Sequence, residues 1–219
     1  MYTKININKM DLLVSIYIAC IAIAELMGAK TFPLAIPGLP TLNASVAIFV
    51  LPLVFTINDV ITEVYGKERA RSVVRSGLVV IVLLLLFSLL ATHLPPSGRF
   101  VVSEPAYDTI FGLSARISLS SLIAFAVAEF MDILVFSKIR QKIGTKALWL
   151  RNNVSNMISQ LIDTVILMTL AFYSLNQDIM SNVSFLLSLI IPYWLLKCSM
   201  SVIETPLVYW GVKWLKEDK

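Results

Sequence analysis

Apolar positions gather into six long runs, parted by short polar or proline-bearing stretches. A bilayer core about 30 Å thick is crossed by about 20 apolar helical residues. That template predicts helices near 11–29, 44–64, 74–94, 116–138, 152–175 and 184–212. The third is the cleanest, since no charged residue falls between Arg75 and Arg99. The first does not read as a cleavable leader, because Glu25 interrupts its apolar centre and no small-residue cleavage pattern follows. Residues 32–43 hold three prolines and a glycine, which predicts a stiff turn or a short re-entrant piece. Pro95-Pro96-Ser97-Gly98 ends the third run and opens a loop reaching to the fourth. The expected fold is all-α: a polytopic membrane protein, one transmembrane domain over 1–219, built as a six-helix bundle.

Composition sharpens this reading. The 219 residues are 58% hydrophobic and 15% charged, with a mean hydropathy of +0.82. Soluble domains carry about 45–50% apolar and about 25% charged residues. A chain this apolar cannot cover itself with polar surface, which excludes a soluble enzyme, a disordered chain and a secreted disulfide scaffold. The net charge of +4 is scattered over short loops without a basic face, so nucleic acid is not an expected partner. Cys20 and Cys198 stand alone in apolar runs and His93 is the single histidine. No zinc site of the usual kinds can be built from them, and no metal or cofactor is expected.

Lys and Arg fix an expected orientation. Lys4 and Lys9 precede the first helix; Lys67, Arg69, Arg71 and Arg75 lie between the second and third. Lys138, Arg140, Lys142, Lys146 and Arg151 lie between the fourth and fifth, and Lys213, Lys216 and Lys219 end the chain. Lys30, Arg99 and Arg116 fall on the other side, and Lys197 within a span. The positive-inside rule then places both termini in the cytoplasm. Trp149, Trp210 and Trp214 sit at the same inner interface as anchors, whereas Tyr193 and Trp194 fall mid-span and read as packing residues.

Ionisable residues at bilayer depth carry the functional signal. At ~1.5 Å of rise per residue, Glu129 lies about 20 Å from the outer start of its helix and Asp132 one turn deeper. Asp163 is about 16 Å from the inner start of the fifth helix, and Lys197 about 20 Å from the outer start of the sixth. Asp59, Glu63 and Glu204 lie nearer the inner edge, Glu25 toward the outer one. Each such group costs ~2.5–3.5 kcal/mol to insert, so all must face protein or a wet cavity. Pairing Lys197 with Asp163 is the structural reading, but three acids against one lysine leave two negative charges over. That surplus suits a cationic ligand, a carried proton or a carboxyl kept neutral by burial. Asn153, Asn156, Gln160 and Asp163 recur on one face of the fifth helix and make a polar wall. Asp59 and Glu63 are i, i+4, Glu129 and Asp132 are i, i+3, and Lys197 shares a face with Glu204.

Asn58-Asp59-Val60-Ile61-Thr62-Glu63-Val64-Tyr65-Gly66 resembles the signature of the queuosine precursor transporter family, six-helix proteins formerly grouped as vitamin uptake transporters. Glu129-Phe130-Met131-Asp132 with Phe136 resembles the family's fourth-helix motif. Trp149-Leu150-Arg151, Ser155 and Gln160-Leu161-Ile162-Asp163-Thr164 resemble the fifth, and Lys197 with Thr205-Pro206-Leu207-Val208-Tyr209 the last. Two positions depart from the pattern: Glu129, where Gln is common, and Asn156, where Thr is.

The resemblance implies import of 7-cyano-7-deazaguanine, 7-aminomethyl-7-deazaguanine or queuine across the plasma (inner) membrane, for queuosine in transfer RNA. A deazaguanine offers N1–H and a 2-amino group side by side, and one carboxylate, Asp163 or Asp132, accepts both. Gln160 or Lys197 supplies a donor to the 6-oxo group, with Glu129 and Asn156 completing the substrate-binding set. Asp59, Glu63 and Glu204 are the expected coupling or gating groups. The implied partners are the base and the lipid bilayer, and a homo-oligomer is compatible with them.

The competing reading is a substrate-binding membrane subunit of an energy-coupling-factor importer, which would require a separate ATPase module. The small residues Cys20, Ala24 and Gly28, at four-residue steps, would serve its docking. An intramembrane enzyme is not expected, because neither Gly-x-Ser-x-Gly-like nor His-Glu-x-x-His chemistry occurs. A purely structural protein would not need a charged midplane.

Overall fold

The computed structural model describes residues 8–34, 42–143, 148–203 and 205–216. Along the chain these form α1 (Lys9–Met27), β1 (Thr31–Leu34), β2 (Leu42–Ser45) and a 3-10 turn (Val46–Phe49). There follow α2 (Leu51–Tyr65), α3 (Lys67–His93), α4 (Glu104–Ile143), α5 (Leu148–Phe172), α6 (Ile179–Ile203) and α7 (Thr205–Lys216).

Among the described residues, five helical stretches are long and apolar enough to cross a membrane: residues 9–27, 46–65, 67–93, 104–131 and 179–200. In α5 the apolar stretch among the described side chains is Met157–Phe172. The protein is therefore all-α apart from its hairpin, and multi-pass. Its outer face is what lipid requires: Val79, Leu83, Leu86, Phe87 and Leu90 of α3 are all exposed.

Local chemistry explains the joints. Asn8 caps α1, its Oδ1 accepting from the backbone N–H of Met10 at 2.8 Å and of Asp11 at 3.3 Å. Between α2 and α3 the chain turns on a single residue, Gly66, at φ 85° and ψ 166°, a region open essentially to glycine alone. Gly77 lets α3 close onto α1: a Cβ there would lie 2.5 Å from Ile21 Cδ1. Gly211 does the same for α7 on α2, with Val60 Cγ2 2.8 Å from the position a Cβ would take. At the opposite end of the bundle Arg116 of α4 donates to the carbonyls of Leu170 (2.7 Å) and Tyr173 (2.6 Å), satisfying and neutralising the C-terminus of α5. Lys9 of α1 donates to the Trp214 carbonyl at 2.7 Å and lies 5.1 Å from that ring's centroid, so the start of α1 and the end of α7 meet.

The helix expected near 184–212 is described as α6 and α7 on either side of residue 204, which lies outside the described residues. Two expectations need correction. The fourth helix begins at Glu104 rather than near 116, with Pro105 in its first turn, where a missing N–H costs nothing. The second does not begin as a helix at 44. Residues 42–45 pair with 31–34 in an antiparallel hairpin, Thr31 opposite Ser45 and Leu34 opposite Leu42.

The end of the hairpin next to the helices is buried, with Ala44 and Ser45 almost fully covered. Its backbone is satisfied by protein: Val46 N–H donates to the Lys30 carbonyl at 2.9 Å, and the Tyr193 hydroxyl donates to the Ser45 carbonyl at 3.3 Å. Asn43 Nδ2 donates to Ser188 Oγ at 2.8 Å. Buried non-helical backbone needs such partners, and Ser45 also lines a cavity.

Candidate functional site: a chambered polar path

Lys197 of α6 and Asp163 of α5 form the site's centre. Lys197 Nζ lies 2.6 Å from Asp163 Oδ2, and the two side chains are only 9% and 25% exposed. The lysine also donates to Thr164 Oγ1 at 3.2 Å. The Thr164 hydroxyl itself donates to the Gln160 carbonyl at 2.8 Å, so Thr164 is a fixed acceptor rather than a free rotor. The salt bridge answers the insertion cost of two charges at once, and it ties α5 to α6.

Two cavities meet at this pair, and a third adjoins them. The first, of about 250 Å³, lies beside the hairpin and is lined by Glu25, Ser45, Phe55, Ser121, Phe125, Tyr193, Asp163 and Lys197 among others. The second, of about 300 Å³, shares Phe55, Phe125, Asp163 and Lys197 with it and adds Glu129, Ser159 and Gln160. The third, of about 670 Å³, shares Phe125 and Glu129 with the second and is lined by Asn58, Thr62, Lys67, Arg71 and Arg75. Adjacent chambers thus share walls, and Phe125 of α4 touches all three. The series runs from the hairpin, past the charged pair, to the basic α2–α3 joint.

The hairpin chamber owes its shape to α1 and α4. On α4, Ser114, Ser118 and Ser121 fall on one face, and small residues let helices approach closely. Ser114 donates to the Leu26 carbonyl of α1 at 3.0 Å, while Ser118 and Ser121 bond the carboxyl of Glu25. Glu25 is 5% exposed, and its Oε2 has no partner among the described residues. Ser45 Oγ donates to the Gly28 carbonyl at 2.5 Å, closing the chamber's hairpin side.

Of the residues singled out from the sequence, Asp163, Lys197, Gln160 and Glu129 come together around one cavity. Asp59 and Glu63 are exposed on α2; their neighbours Asn58 and Thr62 line the basic chamber instead. The side chains of Asp132 and Asn156, and Glu204, lie outside the described residues. Tyr193, expected to pack, does so against Met168, Leu186 and Leu189, and also lines the hairpin chamber. Cys20 is buried, and Ala24 and Gly28 line that chamber, so this small-residue stripe faces the bundle interior. The serine face of α4, spaced four and three, is the signal that sequence reasoning passed over; Phe55 and Phe125 had none beyond being aromatic.

Comparison with known proteins places the chain in a family. Residues 45–211 match the family described as "Putative vitamin uptake transporter". A probable queuosine precursor transporter of Bacillus subtilis (strain 168) is 32% identical over 214 residues, which cover 97% of this chain and 88% of the relative. The queuosine precursor transporter of Escherichia coli (strain K12) is 26% identical over 128 residues, 57% of this chain and 53% of that protein. No solved structure matches. The family match runs through α2, the paired helices α5 and α6 and most of α7, and the Bacillus relative extends the likeness over almost every residue: the chain belongs to the queuosine precursor transporter family, multi-pass membrane transporters of small molecules and not enzymes.

Proposed function

We propose that the protein imports 7-deazaguanine precursors of queuosine (the 7-cyano or 7-aminomethyl base, or queuine) across the plasma (inner) membrane. The names of its relatives support the substrate class. The observation that carries the route is the buried Lys197–Asp163 pair standing where two chambers share a wall. In this reading α5 is the sixth span, the hairpin end faces outward, and the basic chamber opens to the cytoplasm.

The chemistry follows from the donors and acceptors present. While Lys197 holds Asp163, the path is interrupted by a contact that neutralises both charges. A base with adjacent N–H donors competes with the lysine for the carboxylate, and the freed ammonium or Gln160 donates to the 6-oxo group. Asp132 and Asn156 complete this set, and Asp59, Glu63 and Glu204 act in coupling or gating on the cytoplasmic side. Phe55 and Phe125 offer flat faces to a flat ring. Glu129, at the wall of the basic chamber, suits the positive aminomethyl group.

The test is queuosine formation in transfer RNA of cells lacking their own synthesis and salvage, supplied with 7-aminomethyl-7-deazaguanine. Queuosine is expected only when the chain is expressed. Asp163→Asn at equal protein level is expected to abolish it, and unchanged uptake by that variant would sink the role of the pair.

A further inference from the structure

The chemistry of the central pair leaves Glu25 unexplained. It is a carboxylate 5% exposed, it lines the hairpin chamber, and its Oε2 has no hydrogen-bond partner among the described residues. Among the described residues lining that chamber the sole cation is Lys197, whose ammonium is held by Asp163 at 2.6 Å. The chamber's other hydroxyls are committed: Ser45 donates to Gly28, and Tyr193 donates to Ser45. Ser118 and Ser121 bond the Glu25 carboxyl. When ionised, a carboxyl accepts at about four lone-pair sites, so this buried side chain keeps acceptor capacity that no described residue uses. A buried charge without a counter-ion is costly, and a ligand bringing two adjacent N–H donors removes that cost.

We infer that the Glu25 side of the hairpin chamber is a first binding station, facing the central pair across the same cavity, and that Glu25 is its specificity-determining residue. The ligand class is a flat aromatic heterocycle bearing a ring N–H beside an exocyclic amino group. Phe55, Phe125, Phe172 and Tyr193 wall the chamber and take the ring faces, while Glu25 accepts the donor edge. The same edge then passes to Asp163 when the lysine releases it. This inference rests on the proposed cargo being a deazaguanine. It adds a first contact on α1 that precedes the central pair. Selectivity follows from acceptor chemistry: a base carrying a carbonyl at position 2 sets oxygen against oxygen, and one carrying hydrogen there leaves an acceptor empty.

Equilibrium binding of 7-aminomethyl-7-deazaguanine to the purified full chain in lipid nanodiscs is the experiment, with wild type beside Glu25→Gln. Analogues that lack the 2-amino group or carry an oxo group there serve as competitors. Glu25→Gln is expected to weaken binding about 10- to 100-fold, the range for a hydrogen bond to a charged group. Wild type is expected to discriminate against both analogues by a similar factor, and Glu25→Gln to lose that discrimination. Where Glu25→Gln fails to fold, Glu25→Asp, which keeps the carboxylate but draws it back, is titrated with the same three bases, and unchanged affinity and preference would overturn the role of Glu25. Tight wild-type binding with no preference among the three bases would overturn the role of Glu25. So would a folded Glu25→Gln that binds as wild type but loses pH dependence of uptake, which would make Glu25 a proton site. If wild type binds none of the bases, the proposed cargo itself is wrong and this inference falls with it.

Discussion

Asp163 and Glu25 line the same chamber and have the same chemistry, yet the protein treats them oppositely. Asp163 has a lysine at 2.6 Å; Glu25 has, among the described residues, serine hydroxyls and an oxygen without a partner. A carboxylate facing an ammonium is neutralised and holds two helices together. One facing hydroxyls keeps its capacity to accept. The difference separates a lock from a receptor, and variants can pull the two apart.

The largest effect belongs to the lock. Removing one member of a part-buried pair strands the other charge, at a cost of up to about 3–5 kcal/mol, the figure for a fully buried pair. Lys197→Met alone is therefore expected to lower the thermal midpoint and the amount of folded protein sharply. Replacing both, Asp163→Leu with Lys197→Met, removes both desolvation costs and is expected to recover most of that stability while transport stays dead. Thermal unfolding of the purified variants, read beside uptake, checks both statements. A double variant as unstable as the single would mean that the pair's geometry, and not its charge balance, holds α5 to α6.

Smaller effects sharpen the contrast. Gly77→Val pushes a branched side chain into Ile21 and Tyr17 at the α1–α3 contact. Overpacking of this kind costs about 1–3 kcal/mol, and because it shifts the helix that carries Glu25, binding should suffer beyond the loss of folded protein. A ligand titration corrected for folded fraction measures this. The smallest effect is expected at the exposed Glu68–Arg71 bridge, 2.8 Å long with side chains 82% and 64% exposed. Glu68→Ala should move stability by no more than about 0.5 kcal/mol and leave binding unchanged.

Bilayer thickness writes itself into sequence as run length, so most spans and their order were legible before any geometry. The departures have local causes. Glu104, Asp108 and Arg116 break the apolar template at the start of α4, but a helix needs only backbone bonds, and it continues through them. The prolines of 32–43 announced an irregular piece without saying that 42–45 would return as a strand. At the site, Asp163 and Lys197 could be matched because each is conspicuous in an apolar run. Glu25 was equally conspicuous, but its partners Ser118 and Ser121 look like ordinary small packing residues, so no pattern tied it to α4. Asp59 and Glu63 sit within the motif of α2, yet one step along a helix turns the side chain by about 100°. That rotation puts Asn58 and Thr62, not the acids, at the basic chamber.

The account turns on whether the base crosses by way of the central pair. The most direct test is uptake of labelled 7-aminomethyl-7-deazaguanine into proteoliposomes holding equal amounts of folded wild type or the Asp163→Leu, Lys197→Met double variant. Wild type should fill the vesicles while the double variant stays at the level of empty liposomes. Equal uptake by the two would show that the pair is only a brace and that the base travels elsewhere.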